Sequence, residues 1–452
     1  MKTSIFADKS TIFIFAFAPA GLGHLRVTNA LYEGLPNKIF PLLLGSQDKA
    51  ITFLHRIMSF HPITRAITQW AEQGLMEDIS TFYYNLFLRS HTKQIYEQIL
   101  TIIDQNIEQP SRVIIIATHF GLAQQIGSIK KKLEKEKEIQ IILIVQVTDD
   151  SPLHIWFIKE ADITFVPSRK TKNSLLKYAK KKTKEEINIE VSPYPISPLL
   201  EKNISKEYME DRISQVDNKN NKTIHVMIPV SGAAVGTDYY AKLIDSLHQK
   251  SHRFLFHIIS KDAPYVRNFL SQMLKRSYVD ITVSSQDKEI VHKYEEIYKE
   301  FPISLEITKP SEQSFKALLE CTMQGASLLL FSEPIGRQEK DNLNFLRRSN
   351  LIPHISVNNL LWEYAGRDKP LVDESGGEML QKAGGWRGFC LPDDPIVASS
   401  LINWAMREGI LSAMMNCKPH PLSTDYNVEE MQSGGVSLFW KKVENMCNNL
   451  SR

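Results

Sequence analysis

The chain of 452 residues carries 54 lysines and arginines against 51 aspartates and glutamates, a formal charge of +3 at pH 7. Its 43% hydrophobic and 23% charged content is that of a globular protein and excludes a disordered or collagen-like chain; the balanced charge excludes a dedicated nucleic-acid binder. At roughly 150 residues per domain the length predicts two or three domains, and no apolar run reaches the ~20 residues of a membrane-spanning helix.

Lys2 and Lys9 precede an apolar stretch ending Ala16-Phe17-Ala18, the outline of a secretory leader. Asp8, Pro19 and the glycine loop that follows favour the first strand of a domain instead. Residues 11–18 are continuously apolar, as a strand buried on both faces of a parallel sheet must be. The loop 19–24 follows, and Val27, Ala30 and Leu31 then take helical spacing. Strands are predicted over 112–118, 139–148 and 162–166, with a charged helix over 125–138. Repeated βα units of this kind imply a doubly wound sheet with ligands at the C-terminal ends of its strands.

The segment 49–100 breaks this rhythm. Ile63, Ala66, Ile67 and Trp70, then Ile79, Phe82, Tyr83 and Leu86, have helical spacing, and His55, Arg56, His61, Arg65, Arg89, His91 and Lys93 are interleaved with them. Two readings are open: a basic, aromatic insertion resting on an anionic membrane surface, or a helical subdomain packed on the first sheet.

Residues 205–222 are polar and charged and are expected to link a first domain, 1–204, to a second, 223–424. The second repeats the opening of the first: a strand over 224–230, a glycine-bearing loop over 231–236 and a helix over 239–248, with further strands over 254–259, 305–308 and 326–331. The tail, 425–452, reads as helical and able to cross back to the first domain. Cys321, Cys390, Cys417 and Cys447 form no CxxC pair, which argues against a zinc site or a disulfide framework and fits a reducing compartment. The sequons at Asn203, Asn221 and Asn449 are read as chance.

Gly21-Leu22-Gly23-His24 lies between a strand and a helix, where free N–H groups suit an anion or hydroxyl and an imidazole can orient a substrate or accept a proton. A glycine turn kept for packing is the plainer alternative. Asp149 and Asp150 follow the most apolar strand; a carboxylate there is either a general base or the cap of a turn, which Pro152 supports. In the second half, Ser311 and Ser314 sit at a strand–loop–helix junction suited to phosphate. Gln338 and Asn342, four apart beside Glu339, share a helix face suited to a polyhydroxylated ligand, or belong to an ordinary solvated helix start. No GxxxxGK[ST], HExxH or GxSxG pattern is present, and the lysine runs at 130–132 and 180–182 read as solvated helix faces.

In order, these pieces resemble the two-Rossmann-domain (GT-B) glycosyltransferases, in the branch of monogalactosyldiacylglycerol synthases, processive diacylglycerol glucosyltransferases and the peptidoglycan N-acetylglucosaminyltransferase. The resemblance lies in Gly23-His24, Thr118-His119 after a strand, Val147-Thr148-Asp149 with His154 and Trp156, Val166-Pro167-Ser168, Pro193-Tyr194-Pro195-Ile196, Lys309-Pro310, and Gly336-Arg337-Gln338-Glu339 with Asn342. It implies an α/β fold of two Rossmann-like domains facing a cleft, with a helical insertion in the first. The implied activity is metal-independent, inverting transfer of a sugar from a nucleotide-diphosphate donor, a UDP-sugar, to a lipid-linked or glycan hydroxyl. No cofactor is implied; the nucleotide sugar is substrate. By the same resemblance Asp149 is the general base and His24 an orienting or alternate base, with Gly21, Gly23 and His119 on the acceptor side. Gly232, Ser311, Ser314, Gln338, Glu339 and Asn342 would bind the donor. A cytoplasmic protein, peripheral on the inner membrane face through 49–100, is expected.

The chain departs from that pattern at informative places. Ser311 and Glu312 replace two glycines, Ala317 stands where a ribose-binding glutamate is usual, and the loop 230–236 has fewer glycines than a typical donor loop. A nucleotide-sugar 2-epimerase on the same frame, and a binding protein that has lost catalysis, are the alternatives.

Overall fold

The computed structural model describes residues 4–17, 22–36, 39, 42–45, 74–106, 109–230, 235–371, 374–416 and 428–450. The chain divides into two compact units, Met1–Pro198 with Gly434–Arg452, and Leu199–Ser433. Each is an α/β unit built on one six-stranded parallel sheet.

In the first unit the strands are β1 (Thr11–Phe17), β2 (Leu42–Gly45), β3 (Arg112–Ala117), β4 (Gln140–Gln146), β5 (Ile163–Val166) and β6 (Ile189–Val191). They lie in the order β2-β1-β3-β4-β5-β6, every pair parallel. Residues 113–117 and 141–146 are all buried, so these runs show no alternation: helices cover both faces of the sheet. The helices include α1 (Leu22–Glu33), α2 (Gly74–Ser90), α3 (Lys93–Asp104), α4 (Phe120–Lys137) and α5 (Arg169–Lys182). Helix α4 starts five residues before the predicted 125, because its first turns are buried all round and carry no amphipathic period. Lys130, expected in solvent, is turned in onto Asp162 at 2.5 Å.

The second unit contains β7 (Ile224–Pro229), β8 (Phe254–Lys261), β9 (Val279–Ser284), β10 (Leu305–Thr308), β11 (Leu328–Phe331) and β12 (Gly388–Cys390), in the order β12-β11-β10-β7-β8-β9. Its helices include α6 (Lys206–Val216), α7 (Thr237–Lys250), α8 (Asp287–Glu300) and α9 (Arg337–Arg348). Strands β6 and β12, three residues each, are too short for a hydropathy pattern, and β9 is half-exposed.

The expected linker over 205–222 is not one. Ser205 caps α6 by accepting from the Tyr208 N–H, and α6 buries Arg212 completely, its guanidinium donating to Met323 O at 2.9 Å and to Gln324 O. Gln215 bridges Pro302 O and the His225 N–H. The segment belongs to the second unit, held by polar side chains on carbonyls, so hydropathy gave no sign of it. The last helix, α10 (Gly435–Leu450), belongs to the first unit. Trp440 Nε1 donates to Leu31 O at 2.9 Å, and its ring stands edge-on to Phe13 and Phe15. At Gly435 a Cβ would lie 2.3 Å from Tyr194 O, so only glycine permits this approach.

Cys321 is disulfide-bonded, against the expectation of reduced cysteines throughout, whereas Cys390 and Cys447 are free. Among the described residues no helix is long and apolar enough to cross a membrane. The first half of the predicted insertion, 49–73, lies outside the described residues. In α2, Ile79, Phe82, Tyr83 and Leu86 are 48–66% exposed, whereas Glu77, Thr81 and Leu88 turn inward. The apolar stripe read from the sequence therefore does not pack on the sheet; the opposite face does.

Candidate functional site

In a parallel sheet, the gap where strand order reverses opens at the C-terminal strand ends, and polar groups there face no covering crossover. The reversal falls beside β1 and β3 in the first unit and beside β7 and β10 in the second.

In the first unit, His24 lies in the opening turn of α1. Its Nδ1 is 2.7 Å from Thr118 O, at the end of β3, and 3.1 Å from Thr148 Oγ1, beyond the end of β4. A carbonyl only accepts, so Nδ1 carries a proton; in the neutral ring the lone pair is then on Nε2, the form a general base requires. Thr28 secures the arrangement, its hydroxyl 2.8 Å from His24 O and 2.7 Å from Thr118 Oγ1. The Tyr194 hydroxyl donates to Thr148 O at 2.9 Å. His119 is fully buried, edge-on to His24 with centroids 5.0 Å apart and stacked on Phe120 at 4.6 Å. A Cβ on Gly121 would come within 2.9 Å of the His119 ring, so the glycine makes room for that imidazole.

The two aspartates after β4 divide their work. Asp150 is fully buried and accepts from the Ser168 hydroxyl and, at 2.9 Å, from the Thr171 hydroxyl, pinning the loop to the start of α5. Asp149 follows Thr148 directly and accepts from the Ser151 N–H at 2.9 Å, an Asx turn. The structure thus gathers His24, His119 and the Thr148–Asp149 turn at the ends of β3 and β4. Gly23 is in the first turn of α1, and Gly21 lies outside the described residues.

In the second unit, Lys309 follows β10, and Pro310 after it restricts it to extended backbone. The Lys309 ammonium donates to Glu333 O, beyond β11, at 3.3 Å. Its Cε is 3.9 Å from the Cβ position of Gly236, whose φ of +90° caps the start of α7. Asn342 is buried, and its amide donates to Pro310 O at 3.1 Å, so it holds the turn in place. Glu339 reaches back to accept from the Ile335 N–H at 2.7 Å, satisfying a donor ahead of α9. Gln338 is half-buried in the first turn of α9. Ser311 is half-buried, but Ser314 is fully buried in a 3-10 turn, Glu312–Leu318, where a helix was expected; its hydroxyl has no hydrogen-bond partner among the described residues. Gly232 lies outside the described residues.

Beneath that turn is a buried charged knot. Lys316 Nζ reaches Glu306 Oε2 at 2.7 Å, Tyr294 OH at 2.7 Å and Tyr298 OH at 2.5 Å. Both phenols also donate to Glu306 Oε2. Burial, then the Glu306 charge, pushes the Tyr298 phenol well above its ordinary range. Sequence reasoning named Thr118, Thr148 and Lys309 only within the motifs that carry the family resemblance, not among the site side chains, and did not anticipate this knot. Among the described residues no three metal-ligating side chains gather.

No family model matches the chain, and no curated protein does. Among similar solved structures is a UDP-GlcNAc 2-epimerase from Neisseria meningitidis bound to UDP-GlcNAc, 10% identical over 96% of this chain and 99% of that one, with a TM-score of 0.44. Anabaena HepE in complex with UDP and glucose is 10% identical over 97% and 99%, with a TM-score of 0.45. A UDP-glucosyltransferase from Polygonum tinctorium is 10% identical over 96% and 98%, with a TM-score of 0.43.

Proposed function

We propose that the chain is a nucleotide-sugar enzyme, a glycosyltransferase that moves a sugar from a UDP-sugar to a lipid-linked or glycan hydroxyl. The observation that carries this reading is His24: an imidazole at a strand-order reversal whose Nδ1–H is held by Thr118 O, which in the neutral ring puts the lone pair on Nε2. The acceptor O–H gives its proton to Nε2 while the oxygen bonds to the anomeric carbon. The bond from that carbon to the diphosphate oxygen breaks on the opposite side, so the configuration inverts. The family resemblance implies the other assignment, with Asp149, one residue from Thr148, as the general base and His24 as the orienting or alternate base. The leaving diphosphate is stabilised at the second unit's helix starts, with Ser311, Gln338 and Glu339 nearby, and no metal or cofactor takes part. Asn342 acts by holding the turn.

The exposed Ile79, Phe82, Tyr83 and Leu86 on α2 support a peripheral seat on a lipid surface, on the cytoplasmic face, from which a lipid-linked acceptor would be taken. Liposome flotation tests this: equal absence of binding with and without anionic lipid rejects it.

The alternative of a nucleotide-sugar 2-epimerase needs acid–base groups on both sides of the sugar, and His119, edge-on to His24 but fully buried, is not placed to be the second. Turnover of a nucleotide sugar without any acceptor decides for it. The test of the common ground is a thermal-shift panel of nucleotide sugars on the wild type and Gln338→Ala. A donor at 100 times its Kd stabilises the fold by about 2.7 kcal/mol. A shift in the wild type that Gln338→Ala abolishes supports the donor assignment, and no shift with any nucleotide favours a non-catalytic protein.

A further inference from the structure

The lysine run at 180–182, expected from the sequence to be a solvated helix face, closes a helix of one-signed charge. Seven of the 14 residues of α5 are lysine or arginine and none is acidic, in a chain whose total charge is only +3. Its inward residues are Thr171, Leu175, Tyr178 and Ala179, so Lys177, Lys180 and Lys181 share the outward face, and all three are exposed. None of the three forms an ion pair among the described residues, and Glu185, just past the helix, is taken by Lys159 at 2.8 Å. The helix dipole favours cations in the last turn but opposes Arg169 and Lys170 in the first. Like charges four apart, as at Lys177 and Lys181, repel as well. An ordinary solvated face mixes both signs; a row of one sign fits a surface of anions.

A second feature adjoins this face. In α2, Ile79, Phe82, Tyr83 and Leu86 are exposed, while both acids of that helix turn onto His154. Glu77 Oε1 accepts from the His154 N–H at 2.9 Å, and Asp78 Oδ1 lies 2.7 Å from His154 Nδ1. The His154 ring stacks on Tyr178 of α5 with centroids 3.9 Å apart, and the Lys182 ammonium stands 5.2 Å from the same phenol ring. His154 therefore joins the apolar helix to the basic one within the first unit. We propose that the two helices form one docking face for an anionic phospholipid surface, α2 entering the acyl boundary and α5 holding headgroup phosphates through Lys177, Lys180 and Lys181. A nucleic acid would occupy α5 and leave the stripe on α2 bare. A lipid surface sets an anionic layer within ~5–10 Å of an apolar one, which is the pairing these helices present. The inference rests on the peripheral seat proposed above and deepens it: lipid charge is what is recognised, by a helix outside the segment 49–100.

Flotation of the full chain with vesicles of phosphatidylcholine, alone and with added phosphatidylglycerol, tests this on the wild type and three variants. Each lysine beside an anionic leaflet is worth roughly fivefold in partitioning. Lys177→Gln/Lys180→Gln/Lys181→Gln should therefore bind phosphatidylglycerol vesicles roughly 100-fold more weakly, with binding to phosphatidylcholine unchanged. The same three positions changed to arginine should keep the wild-type affinity. Wild-type binding should weaken between ~0.1 M and ~1 M salt, as the screening length falls from ~10 Å to ~3 Å, and the glutamine variant should lose that dependence. Phe82→Ser/Leu86→Ser should lose binding to both kinds of vesicle. All five positions are exposed, so unfolding midpoints should stay with the wild type. A glutamine variant that floats like the wild type, or a wild type that binds neutral vesicles equally well, overturns the role of α5 and leaves the seat on α2 standing. A wild type that binds neither overturns both, while its thermal shift with nucleotide sugars still judges the nucleotide-sugar reading. Tighter binding to an oligonucleotide than to either vesicle overturns the proposal in favour of a nucleic-acid partner.

Discussion

Both sheets are parallel and reverse strand order beside their first strand, yet their strand ends carry different residues. In the first unit the residues just past β3 and β4 are Thr118-His119 and Thr148-Asp149, and they hold His24 in a net of hydroxyls, carbonyls and aromatic rings. In the second, the residues past β10 and β11 are Lys309-Pro310 and Ser332-Glu333, above a buried ion pair that locks the next turn. The proposed function assigns proton transfer to the first end and the donor's diphosphate to the second. The difference shows how little a parallel sheet prescribes beyond location: the strands deliver backbone ends to one edge, and two or three residues beyond each strand choose the chemistry.

The comparison breaks first at His24. Replacement by alanine should lower kcat by roughly 10²- to 10⁴-fold with donor affinity unchanged, read from steady-state turnover beside a UDP titration. Asp149→Asn should cost more than His24→Ala if the carboxylate is the base instead.

The locked turn is the next place to strike. Lys316→Met leaves Glu306 buried without its cation, and chemical denaturation should show a loss of about 3–5 kcal/mol. The double variant Lys316→Met/Glu306→Gln should recover a large part of it, since no charge is then stranded. Recovery that fails to appear would assign the pair a packing role alone.

The second unit should also carry the acid sensitivity. His225 Nδ1 and His257 Nε2 are 2.9 Å apart, with Phe301 packed over both rings, and burial, then the neighbouring His225, pulls the His257 imidazole down to about 3. An unfolded histidine titrates near 6.5, so between ~6.5 and ~3 the unfolded chain binds a proton that the folded chain refuses. Stability must therefore fall as pH drops through that window, by up to about 1.4 kcal/mol per pH unit. Urea midpoints of the wild type and His257→Gln across pH 7 to 4 check it; equal slopes would acquit the pair. The smallest effect is expected at Ser205, where loss of the α6 cap in Ser205→Ala should cost about 1 kcal/mol, confined to the second unit.

The parts of the fold that could be read early were those buried on both faces. Residues 12–17, 113–117, 141–145 and 226–229 are apolar without interruption because helices cover both sides of each sheet. Helix α6 escaped notice because its inward residues, Arg212 and Gln215, are satisfied by carbonyls instead of by apolar contact. The stripe on α2 misled for the reverse reason: helical spacing reports that one face is apolar, not that anything covers it. Of the site, His24 and Asp149 were visible as residue types placed after strands, but the tautomer of His24 depends on Thr118 O, 94 residues away.

By itself the sequence determined two parallel-sheet units and the places where polar loops leave their strands, because unbroken burial and helix spacing are written locally in residue order. Which of those polar residues meet, which are spent on the fold and which are held toward a ligand was decided only by tertiary packing. Ser314 and Asn342 read like Gln338 along the chain, yet the first two are buried while Gln338 stays at the surface of the helix start. The physical reason is that a hydrogen bond is made to whatever the fold brings within about 3 Å, and strand order, not residue order, sets that neighbourhood.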